Sequence, residues 1–187
     1  MSMEHYIELR LLPDPEFAET LLMNALFAKL HRALCEAGRG EIGVSFPKAD
    51  KTLGDRLRLH GGKEALERLN SLNWLTGMRD HVSDFGVRPA PEKCKYRIVQ
   101  RVQAKSSAER LYRRSARNGR LSEEEAMIKA AAAAEERLNL PFVLLKSAST
   151  GQQFPLFIEQ GRLLDKPQAG SFSDYGLSSA ATVPWFE

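Results

Sequence analysis

The sequence predicts an α+β protein, and three observations lead to this fold class. The chain has 187 residues, 43% of them hydrophobic and 27% charged, which suits one domain or two small ones with a buried core. Hydrophobic patterns typical of strands and of helices alternate through the first half. The second half changes to an arginine-rich helical pattern followed by short strands. We therefore place an N-terminal domain at residues 1–97 and a C-terminal α+β domain, with an arginine-rich helix, at residues 98–187.

The first half opens with a strand and a helix. Ile7 and Leu9 alternate with polar neighbours, which predicts a half-buried strand at residues 6–12. Apolar residues at helical spacing then predict a helix that begins near Glu16 and ends at Gly38. The further elements are strands at 41–46 and 56–60, a helix at 63–72, a looser stretch at 77–91 and a strand at 95–103. This order of elements is that of the ferredoxin-like (RRM-like) βαββαβ fold.

The second half contains two predicted helices and several short strands. Residues 106–117 combine strong helix formers with arginines. Ser122 and Glu125 form a capping box, which predicts the start of a second helix that runs through an alanine-rich segment towards Leu138. Strands are predicted at residues 142–146 and 154–158, and a further short strand is predicted near the C-terminus.

Composition and charge exclude several classes of protein. The longest apolar runs are too short to span a membrane, and the N-terminal segment lacks the layout of a signal peptide, so we expect a cytoplasmic protein. Cys35 and Cys94 are far apart and form no CxxC motif, which argues against a disulfide framework. None of the four histidines is paired at ligand spacing, so we expect no metal centre and no cofactor.

Positive charge is concentrated in one segment, at residues 101–120. This segment is net +6 in a chain that is net +3, so the remaining residues are net −3. A concentrated basic element on a slightly acidic body indicates a binding site for a polyanion. Its basic residues, which are the candidate cations of that site, are Arg101, Lys105, Arg110, Arg113, Arg114, Arg117 and Arg120.

Four of these arginines share one helical face, because Arg110, Arg113, Arg114 and Arg117 lie three or four residues apart. Such a row can follow the phosphates of a duplex, with each guanidinium gripping phosphate oxygens. A solvated charged face is the ordinary alternative. Only Glu109 offers nearby neutralisation, which favours a nucleic-acid role. Charge alone leaves both DNA and RNA open as ligands.

Metal-dependent nucleases need clustered carboxylates, and the one dense acidic run, Glu123 to Glu125, is better explained as the start of a helix. Histidine is therefore the candidate catalytic residue. Histidine titrates near neutral pH and can act as an acid or a base. His31 lies on the first predicted helix, but a helical histidine is more often a structural residue. Ser147, Ser149, Tyr175 and Phe154 could equally fill turn or core roles.

Blocks of sequence along nearly the whole chain resemble the type I-F CRISPR precursor-RNA processing endoribonucleases, the repeat-hairpin endonucleases of the Csy family. These blocks are YIELRLLPDPEF at 6–17, LFAKLH at 26–31, IGVSFP at 42–47, RVQAKSSAERL at 101–111, LPFVLLKSASTGQQF at 140–154, YGLS at 175–178 and VPWF at 183–186. Several blocks in the same order are more specific than any single motif.

The resemblance implies a role for each matching residue. His31 matches the catalytic histidine, Ser147 the serine that holds the nucleophilic hydroxyl, and Tyr175 the tyrosine that orders the site, with Ser149 beside Ser147 in the same motif. Phe154 matches an aromatic residue that stacks under the terminal base pair. The residues that match RNA-reading positions are Arg101 and Gln103 near the cut, and Arg113, Arg114 and Arg117 in a helix inserted into the RNA groove. Asn118 and Gly119 depart from the family pattern of arginine followed by histidine.

The resemblance also implies a reaction and partners. We expect binding of the CRISPR repeat hairpin, and one cut at its base that leaves a 2′,3′-cyclic phosphate and a 5′-hydroxyl without a metal. We expect a chain that is a monomer when free, keeps its product and joins other subunits of the type I-F surveillance complex. A non-cleaving RNA scaffold subunit and a DNA-binding regulator are the alternatives.

Overall fold

Two antiparallel four-stranded sheets and two α-helices account for the regular structure of the described residues, apart from a short 3₁₀ turn at Arg79–His81. The computed structural model describes residues 3–102, 139–147 and 151–187. The α+β class predicted from the sequence is therefore confirmed.

The first sheet is built from the N-terminal half. Its elements in chain order are β1 (His5–Leu11), α1 (Glu19–Ala37), β2 (Gly43–Ser45), β3 (Arg56–Gly61), α2 (Lys63–Asn70) and β4 (Val82–Pro89). The strands lie in the order β2-β3-β1-β4, and each neighbouring pair is antiparallel.

The second sheet contains β5 (Lys95–Val102), β6 (Phe142–Lys146), β7 (Gln153–Gln160) and β8 (Thr182–Trp185), in the order β6-β7-β5-β8. Its strands are also antiparallel to their neighbours. Along β6 the side chains alternate, with Val143 and Leu145 buried and Phe142 and Leu144 exposed. The sheet therefore has one face in the core and one face towards solvent at this edge.

Helix α1 forms because its apolar residues recur every three or four positions and can all enter the core on one side. Leu26, Phe27 and Leu30 are fully buried, and they belong to one hydrophobic cluster with residues of both sheets. Truncation of such a residue to alanine costs about 2–5 kcal/mol. Ala28 and His31 lie at one edge of this buried stripe and are only half-buried.

Polar side chains bridge the two sheets at sites where backbone groups lack a strand partner. The amide of Gln160 in β7 accepts a hydrogen bond from the Phe46 backbone N–H and donates one to the Phe46 carbonyl, both at 3.0 Å. On α1, Asn24 Oδ1 accepts a hydrogen bond of 2.9 Å from the Leu144 backbone N–H. These contacts fix α1 and β2 relative to the second sheet.

Arg58 in β3 ties the C-terminal end to the first sheet. Although it is charged, only 4% of its surface is exposed. Its Nε donates to Glu8 and one terminal nitrogen donates to the Phe186 carbonyl, both at 2.5 Å, while its guanidinium lies 4.3 Å from the centre of the Phe186 ring. A buried charge is tolerated only when it is paired in this way. The pairing therefore fixes the chain just beyond β8.

The fourth strand of the first sheet is not the one predicted. The sequence placed residues 95–103 there, but the strand at Lys95–Val102 is β5, in the second sheet, and β4 occupies part of the stretch predicted to be loose. Between Ile7 and Leu9, β4 inserts one extra residue, and Gly86 takes a positive φ of 70°. A bulge on an edge strand breaks the alternation on which the prediction relied.

The other predicted elements divide into those the structure describes and those it does not. Strands at 142–146, 153–160 and 182–185 confirm the predicted C-terminal strands. The predicted arginine helix at 106–117 and the capping box at 122–125 lie outside the described residues. The division of domains at residues 97 and 98 stays a prediction, and β5 spans both of these residues. Neither α1 nor α2 is long and apolar enough to cross a membrane.

His60 lies at the centre of the first sheet with no exposed surface. Its Nε2 is 2.8 Å from Ser45 Oγ, and its Nδ1 has no partner among the described residues. Burial, aided by the nearby charge of Arg58, lowers the pKa of His60 from 6.5 to about 3. The side chain is therefore neutral in the folded protein throughout the physiological range.

We predict that His60 makes the fold sensitive to acid. The folded-state pKa lies below that of the unfolded chain, so the His60 contribution to stability is complete above pH 6.5 and is lost as pH falls from 6.5 towards 3. At pH 5 the loss is about 2 kcal/mol. Denaturant unfolding of wild type and His60→Gln at several pH values measures it: the gap in unfolding free energy between them should narrow by this amount between pH 7.5 and pH 5.

Substitution of the half-buried His5 by glutamine is the control, and its gap from wild type should change less than that of His60→Gln. A gap for His60→Gln that stays constant over this pH range would contradict the assignment.

Candidate active site

A cavity of about 1020 Å³ lies between α1 and the second sheet. One wall is a stripe of α1, the other is the end of β6 with Ser147 and Gly151 beyond it, and Tyr175 of the C-terminal segment also lines the cavity. Residues from positions 28 to 175 therefore meet in one place. The described residues that line it are Ala28, His31, Arg32, Cys35, Arg101, Leu145, Lys146, Ser147, Gly151, Phe154 and Tyr175.

His31 is held in the cavity by two contacts with one turn of the C-terminal segment. Its Nδ1 lies 2.9 Å from the backbone carbonyl oxygen of Asp174. Its ring stacks on that of Tyr175, with ring centres 4.2 Å apart and planes inclined by 12°. A hydrogen bond at one edge and a stacked ring on one face together fix both the position and the plane of the imidazole.

The hydrogen bond decides which nitrogen of His31 carries the proton in the neutral ring. A carbonyl oxygen only accepts hydrogen bonds, so Nδ1 must be the donor. In the neutral imidazole the other nitrogen, Nε2, then has an unprotonated lone pair. The geometry therefore prepares His31 to accept a proton at Nε2.

The turn that holds His31 packs closely against the first sheet. It is closed by hydrogen bonds from Gly176 N–H to the Ser173 carbonyl, at 2.8 Å, and from Ser173 N–H to the Leu177 carbonyl, at 2.9 Å. Val44 in β2 donates its N–H to the Gly176 carbonyl at 2.9 Å. Gly176 has a φ of 70°, and a Cβ at this position would lie 2.6 Å from Val44 Cγ1. Only glycine fits this close approach.

Ser147 lies just beyond β6 and lines the same cavity as His31. Hydrogen bonds join Ser147 N–H to the Gln152 carbonyl and Gly151 N–H to the Ser147 carbonyl, both at 2.9 Å. These two bonds fix the chain where β6 ends and β7 approaches. The serine and the histidine are therefore brought to the cavity by different elements.

Phe154 and Arg101 form the part of the cavity that belongs to β7 and β5. Phe154 is half-buried and pairs across the strands with Leu145. The Arg101 guanidinium lies 5.9 Å from the centre of the Phe154 ring and 5.7 Å from that of Tyr175. A cation near two aromatic faces is attracted to both while its donors stay available to a ligand.

Cys35 is one helical turn beyond His31 and contacts it. Its Sγ is 3.7 Å from Nδ1 and 3.9 Å from Nε2 of the histidine. A sulfur in line with the Nε2 lone pair would be much closer to Nε2 than to Nδ1, so the thiol does not lie in front of Nε2. Partial burial, with the carboxylate of Asp174 second, raises the pKa of the Cys35 thiol. The thiol therefore stays protonated and less nucleophilic than an ordinary cysteine.

The structure brings together five of the residues singled out from the sequence. They are His31, Ser147, Tyr175, Phe154 and Arg101. The remaining candidates lie outside the described residues: Ser149, Gln103, Lys105, Arg110, Arg113, Arg114, Arg117 and Arg120.

Sequence reasoning missed three residues of the cavity that carry charged or thiol side chains: Arg32, Cys35 and Lys146. Arg32 and Lys146 are each adjacent in sequence to a candidate catalytic residue, and this adjacency could have identified them as candidates for the site. Among the described lining residues there is no aspartate or glutamate. Within the described part of the chain no three of His, Cys, Asp and Glu lie close enough together to hold a metal ion.

The sequence comparisons identify relatives over almost the whole chain. A family model described as "CRISPR-associated protein (Cas_Csy4)" matches residues 6–186. The chain is 52% identical over 184 residues to a "CRISPR-associated endonuclease Cas6/Csy4" of Escherichia coli (strain UTI89 / UPEC), and 48% identical over 187 residues to a protein of the same name from Pseudomonas aeruginosa (strain UCBPP-PA14). Each comparison covers 98% of this chain and 100% of the relative.

We predict that Gly176→Ala disrupts the turn that holds His31. Gly86 supplies a matched control, because it has the same φ of 70° but no atom within 4 Å of the place that an alanine methyl group would take. Gly86→Ala should lose about 1–2 kcal/mol from the positive φ alone. Gly176→Ala adds the collision with Val44, a further ~1–3 kcal/mol.

Thermal and denaturant unfolding of both variants measure this difference in stability. Equal losses for the two variants would show that the turn yields without strain at Val44.

Proposed function

The chain belongs to the Cas_Csy4 family of CRISPR-associated proteins and is an RNA-processing endonuclease, and we propose that it cuts the repeat stem-loop of precursor CRISPR RNA at the base of the hairpin. The attacking group in this proposal is a 2′-hydroxyl of the RNA itself. The observation that carries it is that His31, whose Nδ1 lies 2.9 Å from the Asp174 carbonyl oxygen, lines the same cavity as Ser147.

In the proposed reaction the Nε2 of His31 takes the proton from the 2′-hydroxyl just upstream of the cut. The 2′ oxygen then forms a bond to the adjacent phosphorus, and the bond from phosphorus to the 5′ oxygen of the next nucleotide breaks. That oxygen takes up a proton from solvent. The products are a 2′,3′-cyclic phosphate and a 5′-hydroxyl, and no metal ion enters the balance.

Each of the neighbouring residues has a role in this proposal. The Ser147 hydroxyl holds the 2′-hydroxyl for attack, and Ser149, outside the described residues, assists in the same motif. Tyr175 stacks on His31 and so maintains the plane of its ring. Phe154 offers a half-buried aromatic face on which the terminal base pair of the hairpin can stack, a contact worth about 1–3 kcal/mol per base.

The grip on the hairpin is assigned to the basic segment that follows β5. Arg101 lies in the cavity, and we propose that it reads base edges near the cut together with Gln103. The further candidates are Lys105, Arg110, Arg113, Arg114, Arg117 and Arg120, for a helix that follows the phosphates in the groove. Their charge supports the assignment, because a concentration of basic residues in one segment of the sequence favours a bound polyanion.

The fold and partners complete the proposal. We interpret the sheet order β2-β3-β1-β4, with its two helices, as the ferredoxin-like (RRM-like) arrangement. We propose that the protein is a cytoplasmic monomer when free, retains the cleaved hairpin and joins other subunits of the type I-F surveillance complex. Retention fits an arrangement in which the stem is held by groups that take no part in the chemistry.

We predict that His31→Ala loses cleavage but keeps its affinity for the hairpin. A base acts on a proton that moves only in the transition state, so its removal should lower the single-turnover rate by about 10²–10⁴-fold while the Kd stays within a few-fold. Cys35→Ser, one turn further along α1, is the control and should leave the rate close to wild type. Wild-type cleavage by His31→Ala would sink the assignment.

We also predict full activity in excess EDTA and no cleavage of a hairpin with a 2′-deoxy group just upstream of the cut. The attacking oxygen belongs to that group, and nothing in the proposed reaction requires a metal. Gel analysis of the two reactions, with the 5′ and 3′ ends of the products identified, makes the check. Cleavage of the deoxy hairpin would mean that water, not the RNA, is the nucleophile.

A further inference from the structure

We propose that Arg32 and Lys146 bind the non-bridging oxygens of the scissile phosphate from opposite walls of the cavity and stabilise the charge that develops there. The inference rests on the proposed function and adds two residues to its reaction. The inference is based on a pattern that occurs on both walls: a proposed reactive residue is followed or preceded directly by a cation. On α1 these are His31 and Arg32, and at the end of β6 they are Ser147 and Lys146.

The proposed reaction builds up negative charge on the phosphoryl oxygens, and a neutral His31 does not stabilise this charge. When the 2′ oxygen attacks, the phosphoryl group becomes five-coordinate and its non-bridging oxygens gain negative charge. A neutral His31 enters the reaction as a base, and its donating nitrogen is already bonded to the Asp174 carbonyl. Donors aimed at the position where charge develops are usually the largest source of stabilisation in such reactions.

Arg32 and Lys146 are the cations placed to stabilise that charge. Both side chains are exposed and line the cavity, and no carboxylate of the described residues lines it. Within the described part of the chain neither of them forms an ion pair, whereas Arg10, Arg56, Arg58, Arg68 and Lys95 each pair with a carboxylate. An unpaired cation beside the reacting groups is available to an anionic ligand.

The geometry places each cation on the side of its own reactive residue. Arg32 lies one helical turn from Ala28 and next to His31, so it belongs to the stripe of α1 that lines the cavity. Lys146 is the last exposed residue of β6, and its Cε is 3.9 Å from the position that a Cβ on Gly151 would take. Gly151 itself lines the cavity.

Arg101, the third cation of the cavity, is placed differently. Its guanidinium lies 5.9 Å from the ring centre of Phe154 and 5.7 Å from that of Tyr175. That position suits contact with a base stacked on Phe154. The division of labour is then a base-reading arginine at β5 and two phosphate-binding cations at the cut.

The test uses the full chain, a repeat hairpin, and variants Arg32→Ala and Lys146→Ala. We expect each variant to lower the single-turnover rate at saturating protein by about 10- to 100-fold, somewhat less than the ~10²–10³-fold cost of losing a rigid oxyanion donor. The Kd for the uncleavable 2′-deoxy hairpin should rise less than threefold. Arg162→Ala, which removes an exposed cation outside the cavity, should leave both quantities unchanged.

A phosphorothioate at the scissile position identifies the contact. Sulfur in place of the contacted non-bridging oxygen should slow wild type, and this slowing should shrink in the variant that has lost the cation. Arg32→Lys and Lys146→Arg should recover part of the rate, because charge is restored with altered geometry. If the two residues had only a structural role, their loss would not change the ratio of the phosphate rate to the phosphorothioate rate. Melting temperatures would show that the variants are folded.

Two results would overturn the inference. One is a saturated rate equal to wild type in both alanine variants. The other is an undiminished phosphorothioate effect in both variants for both stereoisomers. Failure of the proposed function is distinguishable from either, because it would appear in wild type itself as cleavage of the 2′-deoxy hairpin, or as full activity of His31→Ala.

Discussion

The arrangement of the site depends on one close approach, between the turn at residues 173–177 and strand β2. A backbone hydrogen bond from Val44 to Gly176 brings the turn so near that a Cβ would collide with Val44. This turn also supplies the two groups that hold His31 in place, which are the Asp174 carbonyl and the Tyr175 ring. The orientation of a side chain on α1 is therefore set by a glycine far along the chain.

This dependence makes the site a product of the contact between the two sheets. The cavity takes one wall from α1, which packs with the first half of the chain, and the other from β5, β6 and β7. Gln160 and Asn24 satisfy backbone groups across that boundary, and Arg58 fixes the chain end at Phe186. Loosening the contacts of Gln160 and Asn24 would let the wall that carries His31 shift relative to the wall that carries Ser147.

The electrostatics of the cavity suit the proposed reaction at phosphorus, in which a neutral His31 is the base. His31 contributes no charge while its Nε2 is unprotonated, whereas the described residues of the walls include cations and no carboxylate. The cations of the walls can then stabilise the phosphate charge, while the neutral His31 remains able to accept a proton. Arg58 elsewhere shows the contrast, because this buried arginine is paired with Glu8, whereas Arg32 forms no ion pair with any of the described residues.

The sequence by itself determined the α+β class, α1 and most of the strands, because period 3.6 and period 2 are local properties of the chain. The resemblance also named His31, Ser147 and Tyr175, without saying how they meet. Tertiary structure decided the rest. It placed Lys95–Val102 in the second sheet, since strand pairing is non-local and the bulged edge strand β4 hides its own pattern. It also set the His31 tautomer, because that depends on a carbonyl 143 residues away in sequence, which no local pattern encodes.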